Sequence, residues 1–351
     1  MRNLVLIIFV PVLLGCSSKS ENNFIEAVDD YVSSVQNFER TFEKLLFNDS
    51  FNGSIILNVN GTTQEGGKVE VNNRHVIYTP ATDFIGVDHF EYQLCASSDP
   101  SNCSVSNVQI NVLPPTSFIL PQEIQGYYGN LTLCTDNDTN QQVLSELTKK
   151  SHSNILTYNE RHNFLYTADA DLIDSENVIL IYSGETRYWE EYTSPNNSYN
   201  PQTFNTEHVY PQSKLNDNDA VTDLHHLRVC DDQINSDKSN FSFTDGSGEY
   251  GVKSQRWYPG DEWKGDVARM IFYLSIRYKE SINVVGSEAL FIKWNIEDPV
   301  SDFERQRNSV IEQAQGNRNP FIDNPYLVTL LWAEKMLKIS GNKLVRFFES
   351  P

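Results

Sequence analysis

The chain has 351 residues, 39% of them hydrophobic, which is enough for more than one apolar core, and it carries neither an internal repeat nor a low-complexity tract. Its 27 Lys and Arg against 47 Asp and Glu give a formal charge of −20, so the molecule as a whole repels polyanions at long range. That balance excludes a protein that coats nucleic acid with a uniformly basic surface, and leaves room only for local positive sites.

In chain order, Arg2 and the apolar run Leu4 to Leu14 have the form of a secretory signal, too short to anchor stably across a bilayer. Leu13-Leu14-Gly15-Cys16 then resembles a bacterial lipobox. The resemblance implies removal of a signal peptide over 1–15 and acylation of Cys16, with 16–24 as a tether. Several acyl chains hold a protein to a membrane more firmly than one. Ser17 and Ser18 supply no inner-membrane retention aspartate, so the expected location is exported and lipid-anchored, at an outer membrane or cell surface.

Residues 25–113 change character. Short alternating runs, Ser54 to Val59, His75 to Tyr78, Phe90 to Leu94 and Val105 to Val112, are separated by Gly, Asn and Asp, which predicts an all-β sandwich. Tyr78-Thr79-Pro80 and Gly86-Val87-Asp88-His89-Phe90-Glu91-Tyr92 resemble bacterial Ig-like, cadherin-like domains. Cys95 and Cys103, eight apart around a turn, predict a disulfide across a hairpin. The acids of Val28-Asp29-Asp30 and Asn48-Asp49 are either exposed turns or a Ca²⁺ site. Such a domain serves as a spacer or as a binding module for glycan or protein. Pro114, Pro115 and Pro121 mark a stiff linker over 114–124.

The remaining segment, 125–351, contains the chemistry. Phe204 to Tyr210 reads as a strand stopped by Pro211, Ala220 to Val229 as a second strand, and Asp231 to Ser239 as a helix capped by Asp231 or Asp232. Asn235 and Lys238, three apart on that helix, share a face. Cutting a phosphodiester needs a base for water and positive charge at the phosphorus and leaving oxygen. His208 suits the base role because an imidazole is largely neutral near pH 7. Glu207 and Asn235 suit a hard cation: one carboxylate and one amide leave the ion net positive and partly hydrated. Strand alternation points Glu207 and His208 to opposite faces, so a shared site requires a bend or the strand's end. Alternation likewise sends one of His225 and His226 inward and the other outward. Arg228, Lys238, Asn240 and Arg318 are candidate substrate-binding residues. Once Cys16 and the hairpin pair are set aside, Cys134 and Cys230 are left to form a second disulfide.

Phe204-Asn205-Thr206-Glu207-His208-Val209-Tyr210-Pro211, Asp223-Leu224-His225-His226-Leu227-Arg228 and Ile234-Asn235-Ser236-Asp237-Lys238-Ser239-Asn240 resemble the endonuclease I family of secreted bacterial nucleases, within the ββα-metal or His-Me finger superfamily. Lys264 to Arg269 and Gln315 to Asp323 extend the resemblance to about residues 125–335. It implies an α+β ββα-metal finger domain with His208 as general base and Glu207 and Asn235 as metal ligands. The implied cofactor is Mg²⁺, with Mn²⁺ or Ca²⁺ as alternatives. The implied activity is hydrolysis of DNA, with RNA as a second substrate, with little sequence preference and 5′-phosphate products. Val229 stands where the family often has proline, and Asn324 where histidine is common; neither touches the implied base or metal.

Charge is the main objection to a nuclease. Residues 20–115 hold 4 basic and 13 acidic side chains, and 116–351 hold 21 against 34. A cleft lined by Arg228, Lys238, Arg318 and a metal ion meets the objection, because distant carboxylates are screened beyond about 8 Å at physiological salt. The competing reading is an adhesion or binding lipoprotein with a non-catalytic nuclease fold. The sequence identifies no protein partner.

Overall fold

A computed structural model describes residues 24–37, 39–42, 45–114, 120–129 and 131–333. The predicted signal, Cys16, all of the tether but Phe24, and residues 115–119 of the linker lie outside the described residues. Contacts divide the chain into two compact units, Met1–Val32 with Thr41–Asn111, and Ser33–Arg40 with Val112–Pro351.

The N-terminal part is built from β1 (Asp30–Val35), β2 (Arg40–Phe42), β3 (Ile55–Val59), β4 (Lys68–Asn72), β5 (His75–Thr79), β6 (Gly86–Ala96) and β7 (Asp99–Leu113). They form a four-stranded sheet in the order β1-β7-β6-β3 and a three-stranded sheet in the order β2-β5-β4. Along β6, Phe90, Tyr92 and Leu94 are buried while Glu91 and Gln93 are exposed, the period of two expected of a strand with one face in a core. Asp88 is the exception among the inward residues, a carboxylate fully buried in the β6 row. It accepts hydrogen bonds from Thr63 Oγ1 (2.6 Å), Tyr78 OH (2.8 Å) and the amides of Glu65 and His89. Four donors offset the desolvation of the charge. The predicted bridge is present between Cys95 and Cys103, at the end of β6 and the start of β7. The acidic turns are tied down: Asp29 accepts from Ser106 Oγ and the Asn107 amide, and Asp49 from the Val28 amide and Tyr92 OH. Burial pushes the Asp30 carboxyl up to about 7.

The second unit is α+β, in agreement with the expected class. Its elements are α1 (Asn137–Ser151), α2 (His162–Ala168), β8 (Asn177–Ile179), β9 (Thr186–Tyr188), β10 (Phe204–His208), β11 (Leu227–Asp231), α3 (Asp232–Lys238), α4 (Lys264–Tyr278), α5 (Glu288–Glu297) and α6 (Asp302–Gln315), with shorter turns between. Twelve of the fifteen α4 residues are buried, so α4 is the central post of the unit, with α1 and α5 packed against it. Gly265 lets α4 start close to the Asp298 carbonyl, which an added Cβ would meet at 2.2 Å. Arg269 grips Glu304 on α6 with two hydrogen bonds of 2.6 and 2.8 Å, and Glu304 closes a capping box with Ser301.

β10 and β11 are antiparallel, with Glu207 opposite Arg228 and His208 opposite Leu227. The hairpin separates two apolar clusters. Phe204, Leu227 and Val229 belong to the one containing Leu165 and Ile311, whereas Cys230 belongs to the one around α4. The predicted second strand is corrected: a 3₁₀ turn occupies Asp219–Thr222, and the strand begins only at Leu227. The intervening chain is held as turns by the Asp223 amide on Ala220 O and by His226 Nε2 donating to the same oxygen at 2.7 Å. Because this stretch is not a strand, the alternation expected of the two histidines fails, and His225 and His226 are both buried.

The second predicted disulfide is also corrected. Cys134 and Cys230 are free, buried thiols. Cys134 packs beside its own turn, with its sulfur near the Asp136 backbone, and Cys230 faces the Ile181 carbonyl inside the core.

Candidate active site

Three elements meet at the end of β10. α3 is capped by Asp231, whose side chain accepts from the Gln233 and Ile234 amides, so the helix starts directly where β11 stops. Its inner face lies on the Asn205–Glu207 side of the hairpin. Asn235 Nδ2 donates to the Thr206 carbonyl at 3.2 Å and to Asn205 Oδ1. An open recess of about 260 Å³ lies here, lined by Glu207, His208, Gln212, Ser213, Asn235 and Asn240, among others. Thus His208, Glu207, Asn235 and Asn240 border one space although Glu207 and His208 leave the strand on opposite faces, because the recess sits where the strand ends.

Glu207 is 3% exposed. Its Oε1 accepts from Tyr182 OH at 3.0 Å and pairs with Lys238 Nζ at 2.8 Å. Burial raises its carboxyl pKa, and the Lys238 ammonium works against that rise. The His208 backbone amide also hydrogen-bonds this carboxylate, and among the described residues no other side chain does. In Asn235 the amide nitrogen faces two oxygen acceptors, which fixes the flip and leaves the amide oxygen as its free ligand atom. One carboxylate oxygen and one amide oxygen at the border of an open polar recess suit a hard, partly hydrated cation. Among the described residues no three of His, Cys, Asp and Glu converge into a denser site.

His208 Nε2 lies 3.0 Å from the Val221 carbonyl. A carbonyl only accepts, so Nε2 carries the hydrogen and Nδ1 keeps the lone pair. Burial, followed by the neighbouring His226 ring at 5.6 Å, pushes the imidazole down to about 3, so it is neutral at physiological pH. Tyr182, Asn205 and Val221 therefore serve the site without having been singled out from the sequence, and His226 lies beside His208. Tyr182 lies 25 positions before its partner, and Val221 contributes only a backbone oxygen, so neither leaves a local signal.

The proposed substrate cations are placed otherwise. Lys238 is fully buried, its Nζ shared among Glu207 and the carbonyls of His208 and Val209, each at 3.3 Å. Arg228 is fully buried on the hairpin's inner face, paired with Asp169 (3.2 Å) and Asp266 (3.6 Å) between the rings of Trp263 and Phe303. Arg318 holds Asp323 through two bonds of 2.7 Å and Glu312 at 2.6 Å. All three neutralise protein carboxylates, which corrects the expectation that they line a positive cleft. His225 packs tilted against Tyr273, ring centres 4.3 Å apart, and reaches the Asn317 carbonyl, so it lies inside the finger.

Known proteins share this part of the chain. A family model described as Endonuclease I matches residues 139–326, which include the whole hairpin and α3, and one described as Bacterial Ig domain matches 22–111. An "Extracellular ribonuclease" of Bacillus subtilis (strain 168) is 38% identical over 205 residues, 51% of this chain and 69% of that protein. A protein of the same description from Bacillus amyloliquefaciens is 36% identical over 203 residues, 50% and 68% of the two chains. An "Extracellular deoxyribonuclease" of Aeromonas hydrophila is 30% identical over 117 residues, covering 30% of this chain and 51% of that one.

Proposed function

The chain belongs to the endonuclease I family, and from that premise we propose that it is an exported, Mg²⁺-dependent endonuclease that cuts nucleic acid with little sequence preference and leaves 5′-phosphate ends. The observation that carries the reading is the joint bordering of one recess by His208, Glu207 and Asn235. Neighbours named as ribonucleases and as deoxyribonucleases support nucleic acid as the substrate class.

The division of labour follows from the contacts. Val221 holds the Nε2 hydrogen, so Nδ1 of His208 accepts the proton of the attacking water, and burial keeps that nitrogen unprotonated beforehand. Tyr182 and Lys238 lock the Glu207 carboxylate, while Asn205 and the Thr206 carbonyl lock the Asn235 amide. The two would hold the ion by the Glu207 carboxylate and Asn235 Oδ1. A bound Mg²⁺ supplies positive charge for the phosphate oxygens and the 3′ leaving oxygen. Cys16 acylation and a place at the outer membrane or cell surface, with the Ig-like domain as spacer, complete the proposal; the names of the extracellular relatives support export.

The test is cleavage of a supercoiled plasmid by the mature chain with Mg²⁺, with EDTA and with His208→Ala. The expected result is nicking that stops in EDTA and falls about 10²–10⁴-fold in the variant, the usual weight of a general base, while DNA binding persists. Unchanged nicking by His208→Ala, or no cleavage in any divalent metal, overturns it.

A further inference from the structure

Arg161 differs from Arg228, Arg269, Arg307 and Arg318, which are buried as well. It is 3% exposed, yet it makes no ion pair among the described residues, and its Nε and Nη1 have no hydrogen-bond partner. Arg228, Arg269, Arg307 and Arg318 all meet carboxylates. A buried, uncompensated guanidinium is costly to fold around, and a site for an anionic ligand is a ready reason to keep one. Its guanidinium carbon lies 3.3 Å from the centre of the Tyr158 ring, which is half exposed.

Around Arg161 stands a partly exposed aromatic group. Tyr166 stacks with Tyr192 at 5.4 Å and 25°, His162 lies 5.5 Å from Tyr166, and Trp189, 39% exposed, lies 6.3 Å from Tyr166. The group is fastened to the catalytic strand. Tyr166 meets the Phe204 ring edge-on at 5.8 Å, and the Thr193 amide donates to the Phe204 carbonyl at 2.7 Å. Phe204, Thr206 and His208 share one face of β10, so the rings stand up-strand of His208 on its own side, about 13 Å away along the chain. That is within the reach of a few nucleotides. Glu190 and Glu191 in the same loop are engaged by Tyr188 OH and Thr203 Oγ1, so stacking rather than net charge is the attraction available here.

We propose that Tyr158, Tyr166, Trp189 and Tyr192 form a stacking platform for unpaired bases, with Arg161 as the phosphate-binding residue beside it, so that the site takes a single-stranded segment of nucleic acid next to the bond it cuts. This rests on the nuclease reading and narrows its substrate. Aromatic platforms suit single strands because every base has a face to stack, whereas duplex bases are already stacked on one another.

Binding isolates the claim from catalysis. In the His208→Ala protein with Mg²⁺, fluorescence anisotropy compares short oligothymidylate, oligouridylate and a duplex of equal length. Adding Trp189→Ala, at an exposed position that tolerates truncation, is expected to weaken both single strands roughly tenfold and so lower the single-strand to duplex affinity ratio by about that factor. Arg161→Met is expected to reduce the salt dependence of single-strand binding by about one phosphate, a slope change of roughly 0.7. A ratio unchanged by Trp189→Ala, or an unchanged salt slope in a folded Arg161→Met, overturns the proposal. Weakening of only the deoxy or only the ribo strand identifies which of the two the platform serves. Failure of wild-type cleavage sinks the nuclease reading without touching these ratios.

Discussion

Lys238→Met removes the ammonium that holds the Glu207 carboxylate while keeping the apolar stem. At 2.8 Å the Lys238–Glu207 attraction is about 6 kcal/mol at an effective dielectric constant near 20. Desolvation of two fully enclosed ions cancels much of it, but deleting one partner leaves the other charge buried alone, which costs about 3–5 kcal/mol. Two further contacts disappear, the bonds from Nζ to the His208 and Val209 carbonyls. Urea unfolding followed by tryptophan fluorescence reads this unit alone, because all five tryptophans, Trp189, Trp257, Trp263, Trp294 and Trp332, belong to it. The expected loss is about 3–5 kcal/mol, and Glu207→Met with Lys238→Met is expected to recover most of it, since a matched apolar pair carries no stranded ion. Mg²⁺ is expected to stabilise the single variant more than the wild type, because the cation replaces the missing charge. A single variant within 1 kcal/mol of wild type, or a double variant no better than the single, refutes the reasoning.

Asp30 is expected to make the Ig-like domain less stable as pH rises. Its folded-state value of about 7 lies above the unfolded carboxylate range, so the folded form binds more protons between about pH 4 and 7 and stability falls across that window. Nearby water screens the effect to about 1–2 kcal/mol; Asp30→Asn should flatten a calorimetric pH series of the Ig-like transition, and an unchanged slope rejects the assignment. Alkylation followed by peptide mass spectrometry should label Cys134 and Cys230 only after unfolding and without reductant, whereas labelling of Cys95 and Cys103 needs reductant; a Cys134–Cys230 disulfide peptide contradicts the free thiols. Arg318→Met should cost about 3–5 kcal/mol of stability by stranding Asp323. Well below its melting temperature, kcat/KM should change less than about threefold, and a tenfold rise in KM restores a substrate role.

The class of each domain was legible because it is written locally. Alternation in Phe90 to Leu94 survives as a β6 row with one face in the core, and the Asp231 cap sits where the residue chemistry requires it, whereas β10 ends at His208, short of Pro211. The segment Ala220 to His226 was misread because apolar residues and two histidines mimic a strand, while the turn is made by backbone bonds to Ala220 O that no side-chain pattern announces. The site was legible as residue types and illegible as charge. A lysine or arginine beside a catalytic motif reads as a phosphate ligand, but whether it is free depends on distant carboxylates, here Asp169, Asp266, Glu312 and Asp323. Arg161 escaped notice for the converse reason: nothing nearby in sequence shows that no acid reaches it.

Those pairings change how a protein of charge −20 handles a polyanion. The sequence placed attraction in Arg228, Lys238 and Arg318, yet each is spent inside the fold, and the Glu207–Lys238 pair leaves the floor of the recess near neutral. The rest of its wall, Gln212, Ser213, Asn235 and Asn240, is uncharged. On the proposed metal-dependent reading, phosphate would be drawn to this recess by a cation that enters with it, while the surrounding acids oppose approach from a distance. Ion and phosphate then depend on each other, and by linkage whatever factor the ion adds to nucleic-acid affinity, nucleic acid adds to ion affinity. Under the proposed function, with Arg228, Lys238 and Arg318 internalised, the chain would bind ion and nucleic acid together, and its selectivity would rest on contacts that do not need net charge, such as the proposed stacking of bases.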